Sequence, residues 1–174
     1  MPISAPGTWI NGSRHNGFTL VEVMVALVLM GIITSLAILA LPKDRQQKQL
    51  VTEARRLAAL VELNRQEAIL LGEPRGVRFM TTGYEFLVLD RDGTWAPLTQ
   101  SRLLRQHRLP DDLTLRLRVE DRAMDVDTTA LVPQLLVLSS GEATDFAVTL
   151  GAEDGSGYTV SGDLVGRLQM EPAR

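Results

Sequence analysis

Hydrophobic and polar positions divide the chain into three stretches. From Val23 to Leu41 no side chain is charged, and only Thr34 and Ser35 carry hydroxyls. Counted from Phe18, this run makes about 36 Å of helix at roughly 1.5 Å per residue, enough to cross a bilayer core near 30 Å. One carboxylate, Glu22, stands near its N-terminal end. Further on, Leu50, Ala54, Leu57, Val61, Ala68 and Leu71 return at spacings of three, four and seven, which is one face of a helix. Arg55, Arg56, Glu62, Arg65 and Glu67 fill much of the rest. Pro42, lacking an N–H, is expected to bend or interrupt the helix between these two stretches, and Gly72 with Pro74 to stop it. No heptad pattern is sustained, so a span joined to a domain helix is expected rather than a coiled coil.

From residue 77 the period shortens to two. Val77–Met80 and Tyr84–Leu89 read as strands around Thr82-Gly83, and Asp90–Gly93 as a turn before Thr94-Trp95-Ala96. Residues 101–109 fit a short helix or an extended excursion. Leu113, Leu115, Leu117 and Val119 alternate with Thr114, Arg116 and Arg118, the clearest half-buried strand. Glu120–Thr129 reads as an acidic loop, or as a loop with a short strand inside it. Leu135–Leu138, Phe146–Leu150 and Tyr158–Val160 complete the series, and a last strand over Leu164–Met170 is interrupted by Gly166. The expected architecture is α+β, a long N-terminal helix packed on six to eight mainly antiparallel strands.

Composition and charge narrow the function. At 174 residues there is room for an anchor and one domain. The formal charge is −3, and loss of Arg14 with a leader over residues 1–17 would take it to −4. Neither value points to a phosphate backbone, and nucleic acid is not an expected partner. With no cysteine, disulfides, thiol catalysis and thiolate metal sites are excluded. No small-residue cleavage site follows Leu41, so the apolar run is expected to stay in the mature chain. Lys43, Arg45, Lys48, Arg55 and Arg56 lie after the span and would, by charge bias alone, put that side in the cytoplasm.

Gly17-Phe18-Thr19-Leu20-Val21-Glu22, with a basic residue shortly before and a long apolar helix after, resembles the processing motif of type IV pilins and type II secretion pseudopilins. The resemblance implies cleavage by prepilin peptidase after Gly17 and N-methylation of Phe18. It also implies a domain on the periplasmic side, against the charge count, of a protein held in the bacterial inner membrane by a single pass. Glu53–Leu57 through Glu67-Ala68-Ile69, Gly83–Phe86, Pro133–Thr144 and Tyr158–Arg167 are similar to the H-type minor pseudopilin. The domains that follow are a cleaved leader 1–17, a transmembrane helix 18–41, an amphipathic continuation 42–72 and a periplasmic β-rich domain 73–174. The implied partners are the major pseudopilin, the other minor pseudopilins, the inner-membrane assembly platform and the processing peptidase. The alternative is a minor pilin of a type IV pilus, with DNA binding on its exposed domain.

Glu22 is the candidate assembly residue. A carboxylate in an apolar span costs about 2.5–3.5 kcal/mol on insertion scales, so a partner is expected. After cleavage the Phe18 amine, one helical turn away, supplies a cation in the same or a neighbouring subunit. The competing reading is an interfacial glutamate satisfied by free N–H groups at the helix start. Lys43, Arg45 and Lys48 suit lipid headgroups. Asp90 and Asp92 around Gly93 read as hairpin residues, Glu120, Asp121, Asp125 and Asp127 as solvated charge, and Arg102, Arg105, His107 and Arg108 as a solvated surface. Ser139 and Ser140 lack a histidine base or nucleophile elbow. No metal, cofactor or catalytic activity is expected.

Overall fold

The computed structural model describes residues 19–126 and 130–173, giving backbone only for 36–44. A single helix, α1, runs Leu20–Leu71. Ten strands follow: β1 (Arg75–Met80), β2 (Gly83–Leu89), β3 (Trp95–Pro97), β4 (His107–Arg108), β5 (Leu113–Val119), β6 (Arg122–Met124), β7 (Leu135–Val137), β8 (Phe146–Ala152), β9 (Gly157–Gly162) and β10 (Leu168–Pro172). The chain divides into two compact units between Leu41 and Pro42.

In the first unit α1 begins at Leu20, and its side chains are exposed through Ser35. Among the described residues no helix is long and apolar enough to cross a membrane. The span expected over 18–41 draws on Phe18 and on the side chains of 36–41, which lie outside the described residues. Of the bend or interruption expected at Pro42, the interruption does not occur. A proline removes one N–H bond and crowds one carbonyl, a local loss that a 52-residue helix absorbs without ending.

In the second unit all described strand pairs are antiparallel, in two sheets. The first has the order β3-β2-β1-β7, with β4 also on β2; the second has the order β10-β9-β8-β5-β6. The count exceeds the expected six to eight because β3, β4, β6 and β7 have only two or three residues each. The β1–β2 register sets Phe79 opposite Tyr84, and β5–β8 sets Leu115 opposite Leu150. Leu50, Ala54, Leu57, Val61 and Ala68 of α1 are buried in one cluster with Phe79, Phe86, Leu115, Phe146 and Leu150 from the two sheets. Leu71 departs from the expected face and is 55% exposed. Gly72, at φ +68°, reverses the chain just after it, so Leu71 never reaches the sheet.

Two turns rest on α1 through glycine. Gly141 and Gly166 sit at φ +91° and +78°, where a side chain is strained. An added Cβ would fall 2.8 Å from Ile69 Cδ1 at the first and 2.5 Å from Arg65 Cδ at the second. Arg65 is itself held by two donated bonds to Glu62, at 2.9 and 2.8 Å. The Asp163–Gly166 turn is closed by Asp163 Oδ1, which accepts from the Val165 and Arg167 N–H groups at 3.0 and 2.8 Å. The last strand therefore starts at Leu168 rather than Leu164, and Leu164-Val165 form a turn tip.

Candidate functional site

The helix begins with a cap. The Glu22 N–H donates to Thr19 O at 3.0 Å and to Thr19 Oγ1 at 3.3 Å, and Val23 N–H donates to Thr19 O at 3.2 Å. Thr19-x-x-Glu22 is the spacing of a capping box, a signal the sequence carries beside the cleavage-like motif. The structure puts Glu22 in the first helical turn, where the positive end of the helix dipole favours a carboxylate, and leaves it exposed. Gly17 and Phe18 lie outside the described residues, so the geometry of the expected cleavage and of the amine–Glu22 pair does too.

The apolar residues that follow, from Leu20 through Ile33, include eleven large side chains that are each substantially exposed within the isolated chain. The two hydroxyls in the run turn inward. Thr34 Oγ1 donates to the Met30 carbonyl at 2.7 Å and Ser35 Oγ to that of Gly31 at 2.9 Å. Both polar hydrogens are thus satisfied within the helix, as an apolar surrounding requires. Arg45 and Lys48 are exposed; the Lys43 side chain lies outside the described set.

Several polar residues of the folded domain are paired structural groups. His107 is not a surface histidine: its side chain is 21% exposed, and its Nε2 lies 2.7 Å from Glu53 Oε2. Arg56 Nη1 lies 3.4 Å from both Glu53 Oε1 and His107 Nε2, and the Tyr84 ring centroid is 5.2 Å from that of His107. The sequence hid this because its partner, Glu53, is fifty-four positions away on the helix. Burial pushes the Tyr84 phenol far above its ordinary range, with the Glu53 charge adding to the effect. Arg75 pairs with Glu67, and Arg78 Nε with Glu85 Oε1 at 2.6 Å. Asn64 is fully buried on α1, and neither polar atom of its side chain has a hydrogen-bond partner among the described residues.

Asp90 and Gly93 form a turn, Gly93 N–H donating to Asp90 O at 2.9 Å. The acidic stretch contains a hairpin: Glu120 and Asp121, at φ +48° and +63°, join β5 to β6. Asp127 lies outside the described residues. Among the described residues no group of three or more His, Asp or Glu side chains is arranged to hold a metal ion.

Comparison with known proteins agrees with both halves of this description. The prokaryotic N-terminal methylation motif matches residues 12–39, and the family of Type II transport protein GspH matches residues 53–166. Type II secretion system protein H of Aeromonas hydrophila is 29% identical over 171 residues, covering 90% of this chain and 93% of that one. The minor pseudopilin EpsH from the type 2 secretion system of Vibrio cholerae has a similar structure, with a TM-score of 0.61 at 26% identity over 71% of this chain and 97% of that one. The type IV minor pilin FimU of Pseudomonas aeruginosa shares the fold, with a TM-score of 0.50 at 21% identity over 73% of this chain and 91% of that one.

Proposed function

The chain belongs to the Type II transport protein GspH family and is a minor pseudopilin of the type II secretion system, and we propose that it enters the pseudopilus through the apolar first half of α1 after cleavage between Gly17 and Phe18. The observation that carries this reading is the run of exposed apolar side chains after a capped, acid-bearing first turn. Leaving so much apolar surface in water is unfavourable by about 25 cal/mol per Å², so a bilayer or neighbouring stems must cover it.

In this reading prepilin peptidase removes residues 1–17, and the methylated Phe18 amine offers a cation to Glu22 of its own or an adjacent subunit. The stem crosses the bacterial inner membrane once, with Arg45 and Lys48 near lipid headgroups and the β-rich domain in the periplasm. The partners are the major pseudopilin, the other minor pseudopilins near the tip and the inner-membrane assembly platform. The protein acts by assembly and presentation, with no turnover, cofactor or nucleic-acid ligand of its own. The type IV pilus alternative has the shared fold behind it and nothing more specific.

Intact-mass measurement on protein extracted from membranes tests the reading. The expected mass lacks residues 1–17 and carries one added methyl group. A mature cellular form that still begins at Met1 would overturn it.

A further inference from the structure

We propose that the recess at the C-terminal end of α1 docks a basic, aliphatic segment of a different pseudopilin. The proposal rests on the assembly reading above, in which the neighbours of a minor subunit are other chains, and it names the face that meets one of them.

The end of α1 is apolar where the chain has nothing to cover it. Ala68 is the last residue of the buried stripe, and Gly72 at φ +68° then reverses the chain. Leu70 and Leu71, caught between the two, are left 80% and 55% exposed. A lone exposed leucine is ordinary, but these two share one recess with Leu89, Pro97 and Leu98. Its volume is about 930 Å³, within the range of about 300–1,000 Å³ typical of binding clefts.

Charge sets the occupant. The last carbonyls of a helix carry partial negative charge, and no basic side chain stands in the last turn of α1 to offset it. Glu73 and Asp90 lie on the rim of the recess, both exposed and neither with a cationic partner among the described residues. Arg75, inside the recess, offers no free charge, since it is 3% exposed and pairs with Glu67. Arg91 is the single unpaired cation of the rim among the described residues, against two unpaired carboxylates and the helix end. A covering segment therefore gains most with aliphatic side chains over Leu70 and Leu71 and a lysine or arginine toward Glu73 and Asp90. An acidic segment or an anionic lipid surface meets like charge there.

Position agrees with a neighbouring subunit. α1 enters the folded core at Leu50, about 32 Å before Leu71 at roughly 1.5 Å per residue, so the recess lies at the end of the domain remote from that entry. Two leucines and two carboxylates make far less than a stable soluble interface, so the contact is weak alone. Subunits held in one membrane supply the effective concentration that makes it count.

The test places the photoreactive residue benzoylphenylalanine at position 70 of the full-length chain, where the native leucine packs least. The chain is expressed with the secretion machinery, membranes are irradiated, and the crosslinked peptide is sequenced by mass spectrometry. The expected adduct is on a different pseudopilin, in a peptide with a lysine or arginine beside aliphatic residues. Its yield should be about tenfold or more that of the same probe at Gln169, an exposed position on the second sheet. Glu73→Lys with Asp90→Lys should cut the yield about tenfold, and Arg91→Glu should raise it about threefold. Misfolding can only lower the yield, so the opposed signs isolate charge. An adduct on a second copy of this chain, on a lipid or on an acidic peptide, a yield no higher than at Gln169, or indifference to the charge changes would each overturn the proposal. Intact mass is read on the same samples: processed protein without the adduct defeats the docking site alone, whereas unprocessed protein defeats the assembly reading beneath it.

Discussion

The two ends of α1 are built from the same kinds of residue and treat them oppositely. Between Leu20 and Ile33 the aliphatic side chains point to every side and none is buried. Between Leu50 and Ala68 they keep to one stripe, and Leu50, Ala54, Leu57 and Ala68 have no exposed surface. An apolar stripe with charged flanks is completed by the chain's own sheets, whereas a helix apolar all round awaits surroundings that the chain does not supply. One helix thus carries a self-sufficient half and a dependent half, and the polar residues follow suit. Thr34 and Ser35 satisfy their hydroxyls within the helix, while Glu53 and Glu67 reach across to His107 and Arg75.

The largest test of this contrast falls on the dependent half. Gly17→Ala is expected to leave the full-length precursor as the only species by intact mass, whereas Glu22→Ala is processed but sediments outside the assembled pseudopilus. Incorporation of both variants at normal levels would break the distinction between a stem that must be matured and a domain that needs no such step.

Next comes a matched pair of leucines. Leu57→Ala should lower the stability of the folded domain by about 2–5 kcal/mol in chemical denaturation, since it removes a fully buried side chain. Leu27→Ala, at a residue 64% exposed, should shift the same transition by less than about 0.5 kcal/mol. Equal effects would mean that the two halves are not energetically distinct.

Asn64 gives a smaller effect of opposite sign. Its amide is buried in the self-sufficient half without a partner among the described residues, so Asn64→Leu should raise stability by about 1–2 kcal/mol by the same measurement. Glu120→Gly should add about 1 kcal/mol by relieving left-handed backbone at the β5–β6 turn. The last effect is one of pH. Hydrogen bonding from Arg65 holds the Glu62 carboxyl below its ordinary range. Its contribution is therefore complete above about pH 4.5, the ordinary value, and is lost as pH falls through the lowered folded value. Arg65→Met should flatten that part of the acid-unfolding profile.

What was legible in the sequence followed from local period. Leu113, Leu115 and Leu117 are buried and Thr114, Arg116 and Arg118 exposed, as the alternation of two requires. Leu50 through Ala68 form the buried stripe that helical spacing predicts. What escaped depended on long-range pairing or on a turn. β4 is two residues held by Gly83 and Tyr84 of a distant strand, and no two-residue element leaves a periodic trace. His107 looked like surface because its acid lies on α1. Leu164 and Val165 read as strand by type, yet Asp163 draws the Val165 and Arg167 N–H groups into a turn. Of the bend or interruption that Pro42 suggests on local grounds, the interruption is absent, since the helix continues through it.

The seats of Gly141 and Gly166 on Ile69 and Arg65 have an outcome for timing. Both turns are shaped by a helix face that is presented to them only after α1 has docked on the sheets, and the aliphatic tip at Leu164-Val165 acquires its form with them. A half-folded subunit displays no such tip.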